Sequence, residues 1–520
     1  MPRGRPRAES VLAALAAAVG LIGIVSALTP ALSAHSDVVR GVLPTGVPQA
    51  ARVATLAFGM ALVLLARSLG RRSRRAWQLS VALVVAIAVA HLLKAFDVEE
   101  ATFAILVLAT LLRFRPRFDV PGDPAATRPL LATTLAVASA AGTSLALDAR
   151  GRFDGVADVL LASALVLGVR ALHLWLRPLS ERVRQSVEER RRVTELVHSH
   201  GHDSLAFFAL REDKSWFFSP TRRSFLAYRV IGGAALVSGD PIGERSEVPE
   251  LLAEFRRVCR TRGWRLGLLS VSDELVPVAR RLGLRAIKVG DEAVVRPADF
   301  SLEGRAIRKV RQSVTRLERA GFHFRVVDAK DVDASLRGEL VRVSDEWRGS
   351  SVERGFTMAM DDLFRESGTI FAVAETPDGV GGFLHLVPST NGYSLSAMRR
   401  GRETPNGLME FLIARTIEWA RERRTAELSL NFCAFSDFLV GDARTVFHAL
   451  ARRFVQIGDH LFQLDRLLVF NRKFHPEWRP RYLCVERLSD IPSVGVAYLR
   501  AESLLTPPGP WVRRTTASAA

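Results

Sequence analysis

The stretch SLSAMRRGRETPNGLMEF, Ser394–Phe411, decides how the second half of this 520-residue chain folds. Its first residues predict a strand that ends at Met398. A loop with three arginines follows, and the TPNG segment at 404–407 is typical of a helix start, because an apolar helical face comes directly after it. The order strand, loop, helix predicts a domain that mixes helices with a sheet.

The same loop has the chemistry of an anion site. Arg399, Arg400 and Arg402 supply guanidinium groups, and the backbone at Asn406 and Gly407 begins the helix. Unpaired N–H groups at a helix start and guanidinium groups both bind phosphate. A solvated surface loop with an ordinary helix cap remains the alternative.

Similar α+β patterns extend to both sides of this stretch. We predict a first unit over residues 198–298 and a second over 299–490, with strands that include Leu205–Leu210 and Leu461–Phe470. Two units of similar order indicate a duplicated fold, with mixed sheets and helices packed on their faces. The tail 504–520 is rich in Pro, Thr, Ser and Ala and is predicted to be disordered.

The first 178 residues have the composition of a membrane domain. Six apolar stretches recur there, and most approach the roughly 20 residues that a helix needs to cross a bilayer. A signal peptide is the alternative for the first stretch. The six stretches are Val11–Leu32, Ala50–Leu69, Trp77–Leu93, Ala101–Leu112, Leu130–Leu147 and Val156–Leu176.

Arginine clusters in the loops predict the orientation of these helices. They precede the first stretch, separate the second from the third and follow the fourth. With six crossings all three clusters lie on one side, which the positive-inside rule identifies as the cytoplasm. The second half of the chain would then also face the cytoplasm. We expect a charged linker helix at 179–197, which is either solvated or bound to anionic lipid.

Two further segments carry candidate site residues. The segment VSDEWR places Asp345 and Glu346 beside an indole and Arg348, where an acid can act as a base or hold an ammonium group; a surface helix with one buried Trp is the alternative. The segment FNRKFHPEWRPRYL interleaves basic and aromatic residues, including Lys473 and Arg481, which suits phosphates and bases. A strand at a sheet edge suits the same pattern.

Other functional classes lack support. The three cysteines form no CxxC pair, so a disulfide framework or a zinc finger is not indicated. The tract HSHGHD at 198–203 has no later Cys/His partner, which favours a structural role over a metal site. No HExxH, GxSxG, Walker A or GxGxxG motif is present, which argues against the enzyme classes that use them. The net charge of +18 favours polyanionic partners.

Six segments together resemble the C-terminal domain of the phosphatidylglycerol lysyltransferases, the multiple peptide resistance factor family. They follow one another between about residues 200 and 485, and the last four are specific. The segments are SLAFFALREDKSWFFSP, AYRVIGGAALVSGDPIG, VSDEWRGSSVERGFTM, MRRGRETPNGLMEFLIARTIEWA, LSLNFCAF and FNRKFHPEWRPRYL.

The resemblance implies a multi-pass helical membrane domain followed by two tandem acetyltransferase-like (GNAT) folds in the cytoplasm of a bacterial cell. It implies an enzyme that moves an aminoacyl group, lysyl first, from aminoacyl-tRNA to the glycerol hydroxyl of phosphatidylglycerol. Alanyl, arginyl and ornithyl groups and another acceptor stay open. The ester donor is already activated, so no cofactor and no metal are expected.

The resemblance also suggests a role for each candidate. Asp345 is the base or the amino-group contact, with Glu346 as its rival. Arg399 and Arg400 fit the phosphate cradle with Asn406 and Gly407, while the remaining cations fit lipid or tRNA phosphates. Those cations are Arg348, Lys473 and Arg481.

Two rival hypotheses remain. One is another acyltransferase on the same fold, which would act on a cell-wall precursor or use an acyl-CoA. The other is a non-catalytic membrane regulator that binds lipid or tRNA.

Overall fold

The computed structural model describes residues 8–28, 47–95, 98–148, 154–349, 355–434 and 464–505. The chain divides into two compact units. The helical unit comprises Met1–Ser180 and Val258–Trp264, and the sheet unit comprises Glu181–Arg257 and Arg265–Ala520.

Each predicted apolar stretch of the helical unit overlaps a helix. The helices are α1 (Ala8–Leu28), α2 (Val47–Leu69), α3 (Arg74–Ala95), α4 (Val98–Arg113), α5 (Thr127–Asp148) and α6 (Asp154–Trp175). Among the described helices, α1 alone is both long and apolar enough to cross a membrane. A single such helix near the amino terminus does not establish a multi-pass domain, which stays a prediction.

Helices α1 and α2 cross at two glycines. A Cβ atom added at Gly20 would lie 2.6 Å from the carbonyl oxygen of Gly59, and one added at Gly59 would lie equally close to that of Gly20. Small residues let helix backbones approach closely, as is common between helices in membranes. Leu12, Leu62 and Leu65 are buried in the same core.

The sheet unit alternates helices with twelve strands in its described residues. The helices are α7 (Val187–His200), α8 (Val248–Thr261), α9 (Val276–Arg281), α10 (Arg308–Arg319), α11 (Ala334–Arg348), α12 (Leu408–Glu422), α13 (Leu464–Asn471) and α14 (Ile491–Ala501). The strands are β1 (Ser215–Phe218), β2 (Ser224–Ile231), β3 (Ala234–Ser238), β4 (Ile242–Gly243), β5 (Arg265–Val271), β6 (Arg285–Val295), β7 (His323–Asp328), β8 (Ile370–Thr376), β9 (Gly379–Ser389), β10 (Gly392–Arg400), β11 (Glu427–Ala434) and β12 (Glu477–Val485).

All twelve strands form one sheet, in the order β1-β2-β3-β5-β12-β6-β11-β10-β9-β8-β7, with β4 paired to β2. The two halves of this sheet have the same arrangement. Each half has one pair of parallel neighbours, β3 with β5 in the first half and β10 with β11 in the second. The two central strands are exchanged: β12 pairs with β5 of the first half, and β6 pairs with β11 of the second. The prediction of a domain that mixes helices with a sheet is therefore confirmed, and the repeated strand arrangement within one sheet agrees with the predicted duplication.

Helices cover both faces of the second half of this sheet. Helices α10 and α12 bury Val314 and Phe411 against Leu384, whereas α11 buries Leu340 against Phe383. Because Phe383 and Leu384 are neighbours on β9, the two clusters lie on opposite faces. We call them the α12 face and the α11 face.

Four predicted elements differ from the structure. Leu205–Leu210 was expected as a strand, but Ala206–Leu210 is a buried 3₁₀ helix, and α13 lies where the strand Leu461–Phe470 was expected. Short, continuously apolar runs carry no periodicity that separates helix from strand.

The other two differences concern charged segments. The linker helix begins only at Val187, after a capping box at Ser186, and buries Val193, Leu196 and Val197 rather than being solvated. Strand β12 is central rather than at an edge, because carboxylates from other elements pair with its arginines.

Candidate functional site

A cavity of about 660 Å³ opens at one end of the central strands. It lies beyond the carboxyl ends of β3 and β5, which are followed by Asp240 and Ser272. It also lies beside the amino ends of β11 and β12, which begin with Glu427 and Glu477. Seven acidic residues line it against three arginines, although the whole chain has a net charge of +18. The cavity therefore offers a negative environment inside a basic protein.

Arg481 lies at the floor of this cavity and is nearly fully buried. Its Nη1 and Nη2 donate to the two carboxylate oxygens of Asp203 at 2.9 and 2.5 Å, and its Nε donates to Glu292 Oε2 at 3.1 Å. Burial by itself would lower the pKa of Arg481, but the two carboxylates outweigh it and raise that pKa.

Glu292 continues this network towards β11. Its Oε1 accepts from the hydroxyls of Ser204 and Ser429, the second at 2.5 Å. Burial alone would raise the pKa of Glu292, but Arg481 and the two hydroxyls lower it overall. The side chain is therefore an ionised carboxylate at neutral pH.

Asp240 faces the same network and is partly buried. Its carboxylate accepts from the backbone N–H of Ser272 at 2.9 Å and from the Ser272 hydroxyl at 2.5 Å. Burial, and then the charge of Asp203, raise the pKa of Asp240 to about 6. This acid therefore titrates close to the physiological range.

The network reaches a bulge in β11. Asn431 has a left-handed backbone with φ 72°, and its backbone N–H donates to Ser429 Oγ at 3.1 Å. Its Nδ2 donates to the carbonyls of Met358 and Leu395 at 2.6 and 2.7 Å. Asn431 therefore connects the floor of the cavity to the segment after residue 355 and to β10.

A second cluster lies on the α11 face, near the other end of β10. The guanidinium of Arg399 is buried 4.2 Å from the ring centre of Trp347, which extends from α11. Arg400 is exposed. Ser394 pairs with Ser429 of the cavity network, and Arg399 follows it by five residues on β10. The second cluster is therefore roughly 16 Å from that network along the extended strand.

The predicted acids are at the end of α11, beside this second cluster. Asp345 is exposed and pairs with Arg348. Glu346 accepts from Arg342 Nη1 at 2.7 Å and from the backbone N–H of Arg402 at 3.4 Å. The Arg342 hydrogen bond is the main cause that lowers the pKa of Glu346.

The remaining candidates surround the start of α12. Gly407 has φ 94° and precedes the first residue of the helix, and the carbonyl of Asn406 accepts from Arg316. Lys473 Nζ donates to Glu410 Oε1, on the first turn of α12, at 2.7 Å. The structure thus places most predicted residues at one end of β10 and Arg481 at the cavity.

The carboxylates around Arg481 were not predicted as site residues. Asp203 belongs to the HSHGHD tract, where it pairs with Arg481, and Asp240 belongs to the segment SGDPIG. Among the described residues no group of His, Cys, Asp and Glu has the arrangement of a metal site. Glu353 and Arg354, next to the VSDEWR segment, lie outside the described residues.

Comparison with known proteins agrees with the resemblance. Residues 194–485 match the model of the family described as phosphatidylglycerol lysyltransferase, C-terminal. Proteins named lysylphosphatidylglycerol biosynthesis bifunctional protein LysX, from Mycobacterium bovis BCG and Mycobacterium marinum, are 36% identical over 329 residues. These alignments cover 62% of this chain but only 28% and 30% of the relatives, so the chain matches less than a third of their length.

Two solved structures share the fold of the sheet unit. One is the C-terminal domain of a putative lysylphosphatidylglycerol synthetase from Agrobacterium fabrum, with a TM-score of 0.53 and 26% identity over 60% of this chain and 95% of that one. The other is L-PGS from Bacillus licheniformis, with a TM-score of 0.56 and 22% identity over 64% and 99%. Since the family model covers more than half of the chain, this protein belongs to the phosphatidylglycerol lysyltransferase C-terminal family.

Proposed function

We propose that this protein is a membrane-bound aminoacyltransferase that moves an aminoacyl group from aminoacyl-tRNA to the glycerol hydroxyl of phosphatidylglycerol. The lysyl group is the first candidate for the group that is transferred. Family membership supports this reaction class. The tRNA donor, the lipid acceptor, a multi-pass helical membrane domain and a cytoplasmic location of the sheet unit are all part of the proposal.

The acid-lined cavity is the observation that carries the proposal. An aminoacyl ester has an α-ammonium group, and a lysyl ester has a second one at the end of its side chain. Carboxylates that are held in place by other hydrogen bonds are strong partners for such cations. Asp203 and Glu292 are held in this way by Arg481, while Asp240 is held by Ser272.

The second cluster is assigned to phosphate. An aminoacylated terminal nucleotide carries its ammonium groups at one end and its phosphate at the other, so two separated sites suit it. Arg400 and the backbone at the start of α12 would receive phosphate of the tRNA or the lipid. Arg399 is buried against Trp347 on the opposite, α11 face and would meet phosphate only from that side. Lys473 lies beside that helix start and would add a further cation.

The chemical step needs a base and no external energy source. The glycerol hydroxyl oxygen attacks the ester carbonyl carbon, and the bond to the ribose oxygen breaks. The proton leaves the lipid hydroxyl for the base and ends on the ribose oxygen. Asp345 is assigned as this base, with Glu346 as the rival whose carboxylate is already paired with Arg342. Both acids lie at the second cluster, so this assignment places the reacting ester there; an ester that reacts with its α-ammonium group in the cavity would take its base from the cavity acids instead.

The direct test uses membranes that contain the full chain and tRNA charged with one radiolabelled amino acid at a time. Extracted lipids are then separated by chromatography. We expect labelled lipid with lysyl-tRNA and none with free lysine and ATP. No labelled lipid with any amino acid would overturn the proposal, whereas labelling only from an acyl-CoA would favour a different acyltransferase.

The same assay tests the site residues. Asp345→Asn and Lys473→Ala should each lower turnover at least about 10²-fold, the low end for loss of a general catalyst. Asp378→Asn and Lys330→Ala are matched controls, since both side chains are exposed in other parts of the sheet unit. Wild-type turnover in either test variant would remove that residue from the mechanism.

A further inference from the structure

Arginine and aromatic side chains form a belt at one end of the helical unit. Seven arginines come from the α2–α3 connection and the start of α3, and from the end of α4 and the segment after it. They lie together with one acid, Asp119, which pairs with Arg72. Arg74, Arg113, Arg115 and Arg117 are exposed. The arginine–aromatic belt comprises Arg71, Arg72, Arg74, Arg75, Arg113, Arg115, Arg117, Trp77, Phe114, Phe118 and Trp175.

Backbone contacts join the two segments into one surface. Ser73 and Val120 form a β-bridge, and the N–H groups of Arg74 and Val120 donate to the carbonyls of Val120 and Arg72 at 3.0 and 3.1 Å. Arg72 Nε also donates to the carbonyl of Arg117 at 3.0 Å. The positive charges are thus fixed beside one another despite their separation in sequence.

Three arginines of the belt lie over its rings. Arg115 lies 5.6 Å from the ring centre of Trp77, Arg117 lies 5.7 Å from that of Phe114, and Arg75 lies 4.9 Å from that of Trp175. Arg75 also donates to the Trp175 carbonyl at 3.3 Å, which fixes its position, whereas Arg115 and Arg117 are exposed and offer N–H groups that suit a phosphate.

The position of the belt favours a lipid over a nucleic acid. It lies at the ends of apolar helices, whose side chains Leu64, Val85 and Leu106 are exposed along their length. Tryptophan and arginine are the residues that anchor such helices at the level of lipid headgroups. We propose that the belt binds anionic phospholipid headgroups and concentrates them around the helical unit.

This inference rests on the proposed function only for the membrane location, and it requires no catalysis. The test reconstitutes the full chain in phosphatidylcholine vesicles with trace spin-labelled phosphatidylglycerol or phosphatidylcholine, and measures the motionally restricted fraction by electron paramagnetic resonance. The test variant is Arg113→Gln/Arg115→Gln/Arg117→Gln. The matched control neutralises three exposed arginines of the sheet unit, Arg281→Gln/Arg285→Gln/Arg337→Gln.

We expect the wild type and the control to prefer phosphatidylglycerol, with a preference that weakens at high salt. In the test variant, the ratio of restricted phosphatidylglycerol to restricted phosphatidylcholine should fall at least about fivefold. A fall of this size is the effect of about one basic residue at an anionic surface. The triple Arg→Lys variant should keep most of it, which separates loss of charge from misfolding.

Equal preference in wild type and test variant would overturn the inference, as would failure of the chain to insert into vesicles. Competition by uncharged tRNA at the same salt would assign the belt to nucleic acid instead, and competition by millimolar inorganic phosphate would reduce it to a free-anion site. If the chain prefers phosphatidylglycerol but makes no labelled lipid in the transfer assay, the inference about the belt stands and the proposed function is rejected. If it makes labelled lipid but shows no preference for phosphatidylglycerol, the proposed function stands and the inference about the belt is rejected.

Discussion

Arg481 is the residue that organises the cavity floor. Its guanidinium joins Asp203, which comes 278 positions earlier in the chain, to Glu292, which comes 189 positions earlier. A buried cation between two carboxylates is not a large source of stability, because removing all three from water is costly. Its effect is to hold two carboxylates in fixed positions at the base of the cavity.

Removing that cation should be strongly destabilising. Arg481→Met would leave Asp203 and Glu292 buried without their partner, and we expect a loss of about 3–5 kcal/mol in the free energy of unfolding. Adding Glu292→Gln should restore part of this loss. Urea denaturation followed by tryptophan fluorescence measures both effects.

Arg325→Met is the matched control for this series. Its ion pair with Glu375 is partly exposed, so its loss should cost at most about 1 kcal/mol. If Arg481→Met were as mild as this control, the buried network would not have the energetic role assigned to it.

Asp240 should make stability depend on pH. Its pKa in the folded protein is about 6, against 3.8 for an ordinary aspartate, so the folded state favours the protonated form. Its contribution is then fully present below pH 3.8 and is lost as the pH rises through 6. Asp240→Asn should therefore become progressively more stable than the wild type between about pH 4 and pH 7.

Thermal unfolding at a series of pH values measures this difference. Asp378→Asn, at an exposed turn, should show a difference from wild type that stays flat over the same range. A flat difference for Asp240→Asn, or one of opposite sign, would show that Asp240 ionises normally in the folded protein.

At the scale of elements, the start of α12 combines a special backbone with close packing. Gly407 has φ 94°, and an added Cβ would lie 2.6 Å from Ser313 Oγ and 2.7 Å from Arg316 Nη2. The helix start thus depends on a glycine both for its conformation and for the approach of α10. This geometry leaves the first N–H groups of α12 beside the arginine loop.

Gly407→Ala should therefore be more harmful than the backbone alone predicts. Gly321→Ala is the control, because that glycine also has positive φ, at 81°, but no atom within 4 Å of an added Cβ. We expect the control to lose about 1–2 kcal/mol from backbone strain and Gly407→Ala to lose more, together with most of the transfer activity. Equal unfolding free energies and equal activities would contradict the close packing at this helix start.

Sequence patterns located this element well and others poorly. The TPNG segment predicts a helix directly after Gly407, and α12 begins at Leu408. The segments of α13 and of the 3₁₀ helix at Ala206–Leu210 are predicted as strands from their sequence, because short apolar runs have no period that distinguishes helix from strand. Cap and turn residues act locally, so they are readable from sequence.

At the scale of the molecule, the duplication was predictable and the strand exchange was not. The order of helices and strands repeats along the chain, but nothing local indicates that β12 lies between β5 and β6. For the same reason Arg481 was identified as a functional cation without its carboxylate partners. Pairing across 189 or more positions is decided by the whole sheet.

Each half contributes to the proposed site because of that exchange. Asp203 and Asp240 come from the first half, while Ser429 and Arg481 come from the second. An aminoacyl group in the cavity would therefore contact both halves. We propose that this combined site passes that group from tRNA to a lipid hydroxyl.

A single-turnover measurement tests that claim most directly. Purified full chain in vesicles is mixed with a limiting amount of radiolabelled lysyl-tRNA, and label is followed in tRNA, lipid and free lysine. We expect label lost from tRNA to appear in lipid one for one, and only when the vesicles contain phosphatidylglycerol. Label that stays on the tRNA, or that appears as free lysine whatever the lipid, would contradict it.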